Sequence, residues 1–387
     1  MNNRIIAILT SKVLYGKERA NITVYHLLHN NCNKTIHVVY NTKSDSKLVE
    51  ALNDFVLHPL LAPSREFRRF RTIRYAFEYI IANIRLLAII IRINPETIMM
   101  CNEVNFYDFY PALLLSRKNI LFRVGDAPAY EILSFRRYNE FVWKTFVVKK
   151  VKRIVSNAKY VQNTLTSAGR DPINDRIIYN YPPARIIPYK KEHRLYSFNN
   201  QTGKPIITFG YIGQIIRPKG VRHLVEAGVK LLNENNDVRL IIAGSLSYDV
   251  AFADEVLSLI PTQYKHSIIL IGEIENIDLF FDHIDVLCIP SIKQEPLANV
   301  LSEAKYHHCP SIIYPSGGLP ELITHGVDGY ICKESTTDSL YEAMLFYICN
   351  PDEANAQGEA SYESINKYGI DKCSFEKKWI EAYSSIC

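Results

Sequence analysis

The 387 residues are 48% hydrophobic and 22% charged, with 16 glycines and 18 prolines, a balance that excludes a disordered or collagen-like chain and a length that points to two globular domains. Net charge is +5, but residues 1–190 hold 29 Lys and Arg against 14 Asp and Glu, a net of +15, while residues 191–387 hold 16 against 26, a net of −10. The eight cysteines form no CxxC pair and no Cys/His cluster, which argues against a zinc site and reads as scattered reduced thiols of a cytoplasmic protein.

The opening apolar run, Ile5 to Leu9, is too short for a signal peptide and reads as a buried strand. Further strands are expected at Ile36–Tyr40, Thr97–Cys101, Ile120–Val124 and Arg153–Ser156, the first running Arg4–Thr10. Helices are expected between them at Ala20–Asn30, Phe67–Ile93 and Phe141–Val151. This alternation implies a parallel sheet covered on both faces. The longest apolar stretch, Tyr79 to Ile93, is interrupted by Arg85 and Arg92 and is too short to span a membrane, so it reads as a core helix. A polar, Pro-bearing stretch from Pro182 to Pro205 then marks a domain boundary.

The second half repeats the architecture. Ile206–Ile212 is a strand, Val221–Leu232 an amphipathic helix, and Val238–Ala243 a second strand, together a βαβ unit. Ile268–Ile271, Val286–Ile289 and Ser311–Tyr314 supply further strands; Val300–Tyr306, Ser339–Asn350 and Phe375–Ser385 supply helices. The fold class is therefore α/β, with domains over 1–185 and 205–370 joined by a linker at 186–204.

Three segments carry chemistry. GYIGQIIRPKG (210–220) joins a strand to a helix. Gly213 lets the backbone approach a ligand, and Arg217 and Lys219 add cations beside a helix start that favours negative charge, so a diphosphate is the natural guest; a solvated surface turn is the alternative. In PSIKQEPLANVLSE (290–303), Glu295 lies in the loop after a strand and Glu303 about two turns into the next helix. Carboxylates so placed can bond paired sugar hydroxyls, and the N–H groups at Asn299 and Val300 can meet phosphate oxygens. In PSGGLPELITHGVDGYI (315–331), Gly317–Gly318 allow close backbone approach and Glu321 begins a helix.

In this order, on successive βα units, the three segments resemble the retaining glycosyltransferases of family 4. The likeness rests on the glycine turn with Lys219, on Glu295 and Glu303 as a Glu-x7-Glu pair, and on the Gly-Gly-x-Pro-Glu segment ending at Glu321. In the first half it is looser, covering YGKERAN (15–21), RVGDAP (123–128) and IVSNAKYV (154–161). The resemblance implies a GT-B fold: two Rossmann-like doubly wound domains facing a cleft, with a C-terminal helix, 371–387, crossing back to complete the N-terminal domain. It implies a nucleotide-sugar donor on the C-terminal domain, with Lys219 on the diphosphate, Glu295 on the transferred sugar, Glu303 on the ribose, and Gly16 in a loop over the donor. Two departures stand out. Gln214 occupies a position where the family often carries Arg, which leaves Arg217 to supply the cation, and Ala298 replaces a frequent Gly.

No Asp-x-Asp occurs in the chain, so neither a metal nor another cofactor is expected; Arg217, Lys219 and the helix start stabilise the leaving diphosphate instead. Asp126 either orients the acceptor, bonds the sugar, or is simply a turn residue. Two basic clusters in the first half, Arg65, Arg68, Arg69, Arg71 and Arg74, then Lys144, Lys149, Lys150, Lys152 and Arg153, lie among aromatic or apolar neighbours. They suit an anionic membrane surface or a lipid-linked acceptor, with a solvated face as the plain alternative; no nucleic-acid motif accompanies them. The expectation is thus a hexosyltransferase of cell-surface polysaccharide synthesis, cytoplasmic or peripheral on the inner face of the membrane. The rivals are a nucleotide-sugar epimerase on the same fold and a catalytically silent scaffold.

Overall fold

A computed structural model describes residues 3–63, 71–128, 135–182, 197–198 and 205–386. The chain divides into two compact units, Met1–Asn180 with Lys372–Cys387, and Tyr181–Asp371.

The first unit is built on a seven-stranded parallel sheet: β1 (Arg4–Leu9), β2 (Thr35–Asn41), β3 (Val56–Leu60), β4 (Thr97–Met100), β5 (Asn119–Val124), β6 (Arg153–Ser156) and β7 (Arg176–Ile177), in the order β3-β2-β1-β4-β5-β6-β7. Every residue of β4 and β6 is buried, as strands covered on both faces of a parallel sheet are. The last helix, Lys372–Ser384, belongs to this unit and packs on helix Gly16–Cys32. It buries Phe375, Trp379 and Tyr383, whose Oη donates to Glu96 at 3.1 Å.

The second unit carries β8 (Ser197–Phe198), β9 (Pro205–Ile212), β10 (Val238–Ala243), β11 (Ile268–Gly272), β12 (Val286–Ile289), β13 (Ser311–Ile313) and β14 (Gly329–Ile331). Six of them form the parallel order β11-β10-β9-β12-β13-β14, and β8 pairs antiparallel with the start of β9. The chain winds outward from β9 through β10 to β11, then crosses to β12 on the other side of β9. The switch point therefore lies at the carboxyl ends of β9 and β12, where open α/β sheets bind ligands. Ile207, Phe209, Leu240 and Ile242 pack beneath it against Leu224 and Val225 of helix Val221–Asn233.

Several elements differ from the sequence reading. β3 is an edge strand containing His58 and Pro59, too polar to announce itself. Helix Pro351–Tyr368 buries Ala354, Gln357, Gly358, Ser361, Ser364 and Ile365, mostly small or polar side chains that leave only a faint apolar period. The helix expected from Phe141 starts at Arg136 and contains a π segment, Trp143–Val147. Glu321 lies inside a short 3-10 turn, Leu319–Leu322, rather than at a helix start. The boundary between units falls at Asn180–Tyr181, and residues 183–196 and 199–204 of the expected linker region lie outside the described residues. Among the described residues no helix is long and apolar enough to cross a membrane. Helix Arg71–Ile93 is not wholly a core helix: Leu86 and Ile90 are buried, but Ile73, Phe77, Ile80, Ile84 and Ile91 are exposed.

Candidate active site

The three loops picked out in the sequence leave the carboxyl ends of β9, β12 and β13 and are knitted together by backbone bonds. The first runs from Gly213 through the 3-10 turn Arg217–Lys219 to Gly220, where helix Val221–Asn233 begins. Buried Ile215 anchors it, Gly213 N–H donates to Ala243 O at 3.0 Å, and Tyr211 Oη donates to Gln214 O at 2.7 Å. Burial first, and the nearby Glu295 carboxylate second, push the Tyr211 phenol well above its ordinary pKa, so it stays a donor.

The second loop hangs on the first: Ile292 N–H and Lys293 N–H both donate to Pro218 O, at 2.9 and 3.2 Å. The third hangs on the second, with Gly318 N–H donating to Glu295 O at 2.9 Å, Glu295 N–H to Ser316 Oγ at 3.0 Å, and Gly317 N–H to Gln294 Oε1 at 2.7 Å. Gly220 is what lets the first two loops meet. Its φ is +71°, and a Cβ there would lie 1.8 Å from Pro290 O. Gly220→Ala is expected to lower stability by at least about 1–3 kcal/mol, since both the left-handed backbone and the backbone contact oppose it; urea unfolding measures this, and an unchanged midpoint would show that the two loops separate freely.

On this frame the Lys219 ammonium pairs with the Glu295 carboxylate, and Ser291 Oγ donates to the same carboxylate at 3.3 Å. The two side chains are 29% and 15% exposed, so each is held but reachable. Helix Asn299–Tyr306 follows, and no side chain caps its start at Ala298, leaving Asn299 and Val300 at the positive end of the helix dipole. Glu303 is the fifth residue of this helix, about one turn in rather than two, because the helix starts only at Asn299. It is half-buried, and its carbonyl meets His307 Nδ1 at 2.8 Å, while His307 Nε2 is bound to Asp278 at 2.7 Å.

Arg217 does not join Lys219. Its guanidinium bonds the Glu255 carboxylate with both terminal nitrogens, shares that carboxylate with Arg222, and lies 5.1 Å from the centre of the Phe252 ring. Residues two apart in a 3-10 turn project to different sides, so the two cations pair with different carboxylates, Arg217 with Glu255 and Lys219 with Glu295. The residues that reading the sequence missed are Tyr211, Ser291 and Ser316, which orient the loops and Glu295; serines beside prolines carry no distinguishing signal.

Gly16 and Asp126 lie in the other unit. Gly16 opens helix Gly16–Cys32, and the neighbouring Lys17 forms a 2.7 Å ion pair with Asp126. The loops bearing them are joined a second time beneath, where buried Arg123 donates to Asn21 Oδ1 at 2.8 Å and to Asn180 Oδ1 at 2.5 Å. Burial lowers the pKa of this guanidinium from its ordinary value. Among the described residues no three His, Cys, Asp or Glu side chains gather where they could hold a metal ion.

Residues 194–364 match the family model for glycosyl transferases group 1. The chain is 26% identical over 158 residues to the lipopolysaccharide core biosynthesis mannosyltransferase LpcC of Rhizobium leguminosarum bv. viciae, covering 40% of this chain and 45% of that protein. It is 25% identical over 155 residues to the capsular polysaccharide biosynthesis glycosyltransferase CapM of Staphylococcus aureus, covering 40% and 38%. The chain thus spans less than half the length of these curated relatives. Among solved structures it is similar to Anabaena Alr3699/HepE in complex with UDP and glucose, with a TM-score of 0.78 at 16% identity over 99% of both chains. It is equally similar to a glycosyltransferase from Rickettsia africae ESF-5, at 0.79 and 18%, over 100% of this chain and 98% of that one. The fold is GT-B, and the segment that carries the three knitted loops matches the model for the group 1 glycosyl transferases.

Proposed function

We propose that the protein is a retaining glycosyltransferase that moves a hexose-type sugar from a nucleotide-diphosphate sugar to a glycan or lipid-linked acceptor in cell-surface polysaccharide synthesis. The observation that carries this reading is the Lys219–Glu295 pair, reachable from solvent at the carboxyl ends of β9 and β12, beside a helix start that no side chain caps. A sugar diphosphate matches it group for group. Its phosphates would take the Lys219 ammonium and the N–H groups of Gln214 and Val300, and its sugar hydroxyls would take the Glu295 carboxylate. Glu303, one turn further on, serves the ribose. The UDP complexes of HepE and the names of LpcC and CapM agree with this class of donor and product.

Breaking the sugar–phosphate bond leaves new negative charge on the departing diphosphate. Lys219 and the helix dipole stabilise that charge where it develops, which is the step a catalyst must lower. Glu295 holds the sugar and is not assigned as a nucleophile. In this reading Arg217 orders the surface of the turn through Glu255 instead of binding donor, and Asp126, held by Lys17, faces acceptor chemistry from its own unit.

The test is incubation with UDP-sugars and GDP-mannose in the presence and absence of candidate acceptors. Slow release of nucleoside diphosphate without acceptor, with retained anomeric configuration in any product, is expected; an isomerised donor would favour an epimerase, and an untouched donor a silent scaffold. Turnover is expected to persist in EDTA, because the cation that meets the diphosphate is Lys219. Complete loss, restored by adding a divalent metal, would overturn that assignment.

A further inference from the structure

Helix Arg71–Ile93 presents a face that the fold does not use. Ile73, Phe77, Ile80, Ile84 and Ile91 are 79%, 65%, 56%, 64% and 69% exposed, and their spacing of 4, 3, 4 and 7 keeps all five on one line along the helix. Exposed Ala88 continues the line. Arg74, Arg85 and Arg92, also exposed and spaced by 11 and 7, run along one border of this stripe. The only acid of the helix, Glu78, is turned inward and bonded to Arg74. An unbroken apolar line with a one-signed basic border is the pattern of a helix that lies in a membrane interface.

We infer that this face docks on an anionic lipid bilayer, with the isoleucines and Phe77 among the acyl chains and the arginines at the headgroup phosphates. Charge selects this occupant. The first 190 residues carry a net charge of +15, and negative lipid surfaces attract such charge. A second copy fits poorly: it would bring three arginines to three arginines with no exposed acid on the helix to answer them. The stripe from 73 to 91 is also only about 28 Å long and about one helix wide, far below the roughly 800 Å² per partner of a stable protein interface. Of the first basic cluster, Arg65, Arg68 and Arg69 lie outside the described residues; of the second, Lys149, Lys150 and Lys152 are exposed, but Arg153 is buried and donates to Ala382 O at 2.5 Å. The inference goes beyond glycosyl transfer and is read without turnover, so its failure would leave the donor site untouched.

The experiment compares vesicles of mixed phosphatidylglycerol and phosphatidylcholine with vesicles of phosphatidylcholine alone. Trp143 and Trp379 are the chain's two tryptophans and both are buried, so in Ile84→Trp the added indole is the one that starts in water. Its emission is expected to shift to the blue on mixed vesicles and to be quenched by brominated acyl chains. Ile80→Ser with Ile84→Ser should weaken co-sedimentation by about tenfold or more, and Arg85→Ser with Arg92→Ser by about 25-fold, since each basic residue near an anionic surface is worth about fivefold. All three variants change solvent-facing side chains, so melting temperatures should hold. Equal binding to both vesicle types, binding to neither, or a bound Ile84→Trp whose emission does not move would each overturn the inference. So would a stripe variant that turns a dimer into a monomer in sedimentation velocity while vesicle binding is unchanged.

Discussion

Replacing Lys219 by alanine is expected to reduce turnover by about 30- to 1000-fold, the equivalent of about 2–4 kcal/mol of lost transition-state stabilisation, with little change in melting temperature. The asymmetry follows from how the site is built. The loops around Lys219 are held by backbone bonds, from Ile292 and Lys293 to Pro218, from Gly318 to Glu295, and by Gly220 against Pro290, none of which involves the lysine side chain. The Lys219–Glu295 pair is part-exposed, so its contribution to folding is discounted by water, and Ser291 still bonds the carboxylate when the ammonium is gone. Arg217 is not poised to take over, because its guanidinium is bonded to Glu255. Lys219→Arg keeps the charge but changes its shape and reach, so partial recovery is expected. The measurement is kcat with a responsive donor together with a thermal melt. Normal turnover in a folded Lys219→Ala protein would remove the lysine from the diphosphate.

The comparison of Lys219 with Arg217 also shows what a sequence can and cannot disclose. Both are cations in one short turn, and pattern alone gives no reason to separate them. Only the 3-10 geometry, and the presence of Glu255 on a helix 38 residues later, sends one to Glu295 and the other onto the surface. Arg153 makes the same point. It stands in a basic run, KKVKR, yet the strand β6 carries it inside, where it holds the C-terminal helix. What was legible was whatever burial writes into local composition: the all-buried strands β4, β6 and β12, the amphipathic helix after Gly220, and the glycine turns at the switch point. What was not legible depends on partners distant in sequence, as for the edge strand β3, or on packing by small side chains, as for helix Pro351–Tyr368, where Gly358 admits the carbonyl of His308. The exposed line on helix Arg71–Ile93 was hidden for a different reason. Its sequence is apolar at most positions from Tyr79 on, which reads as core, and only the fold shows which side is covered.

Ending the chain at Asp371 is expected to unfold the first unit rather than fray one end. The lost helix buries Phe375, Trp379 and Tyr383 at 2%, 1% and 2% exposure. Truncating a buried Phe or Trp costs about 3–5 kcal/mol, so three such losses approach or exceed the 5–15 kcal/mol that holds a typical domain together. Polar damage adds to this. Arg153 would lose the Ala382 carbonyl and the Ser385 hydroxyl, and Glu96 would lose Tyr383, each a bond of about 1–3 kcal/mol or less. The apolar flank of helix Gly16–Cys32, on which the last helix packs, would face water. Point variants separate loss of the helix's packing from simple insolubility of a truncated chain. Trp379 Nε1 has no hydrogen-bond partner, so its indole contributes through packing alone: Trp379→Ala should cost about 3–5 kcal/mol and Trp379→Phe clearly less. In both variants Trp143 is the only tryptophan left, fully buried in the same unit, and the red shift of its emission on heating reports the opening of that unit directly. A truncated chain with an unchanged melting curve, or a Trp379→Ala protein whose Trp143 transition stays at the wild-type temperature, would show that the first unit holds together without its last helix.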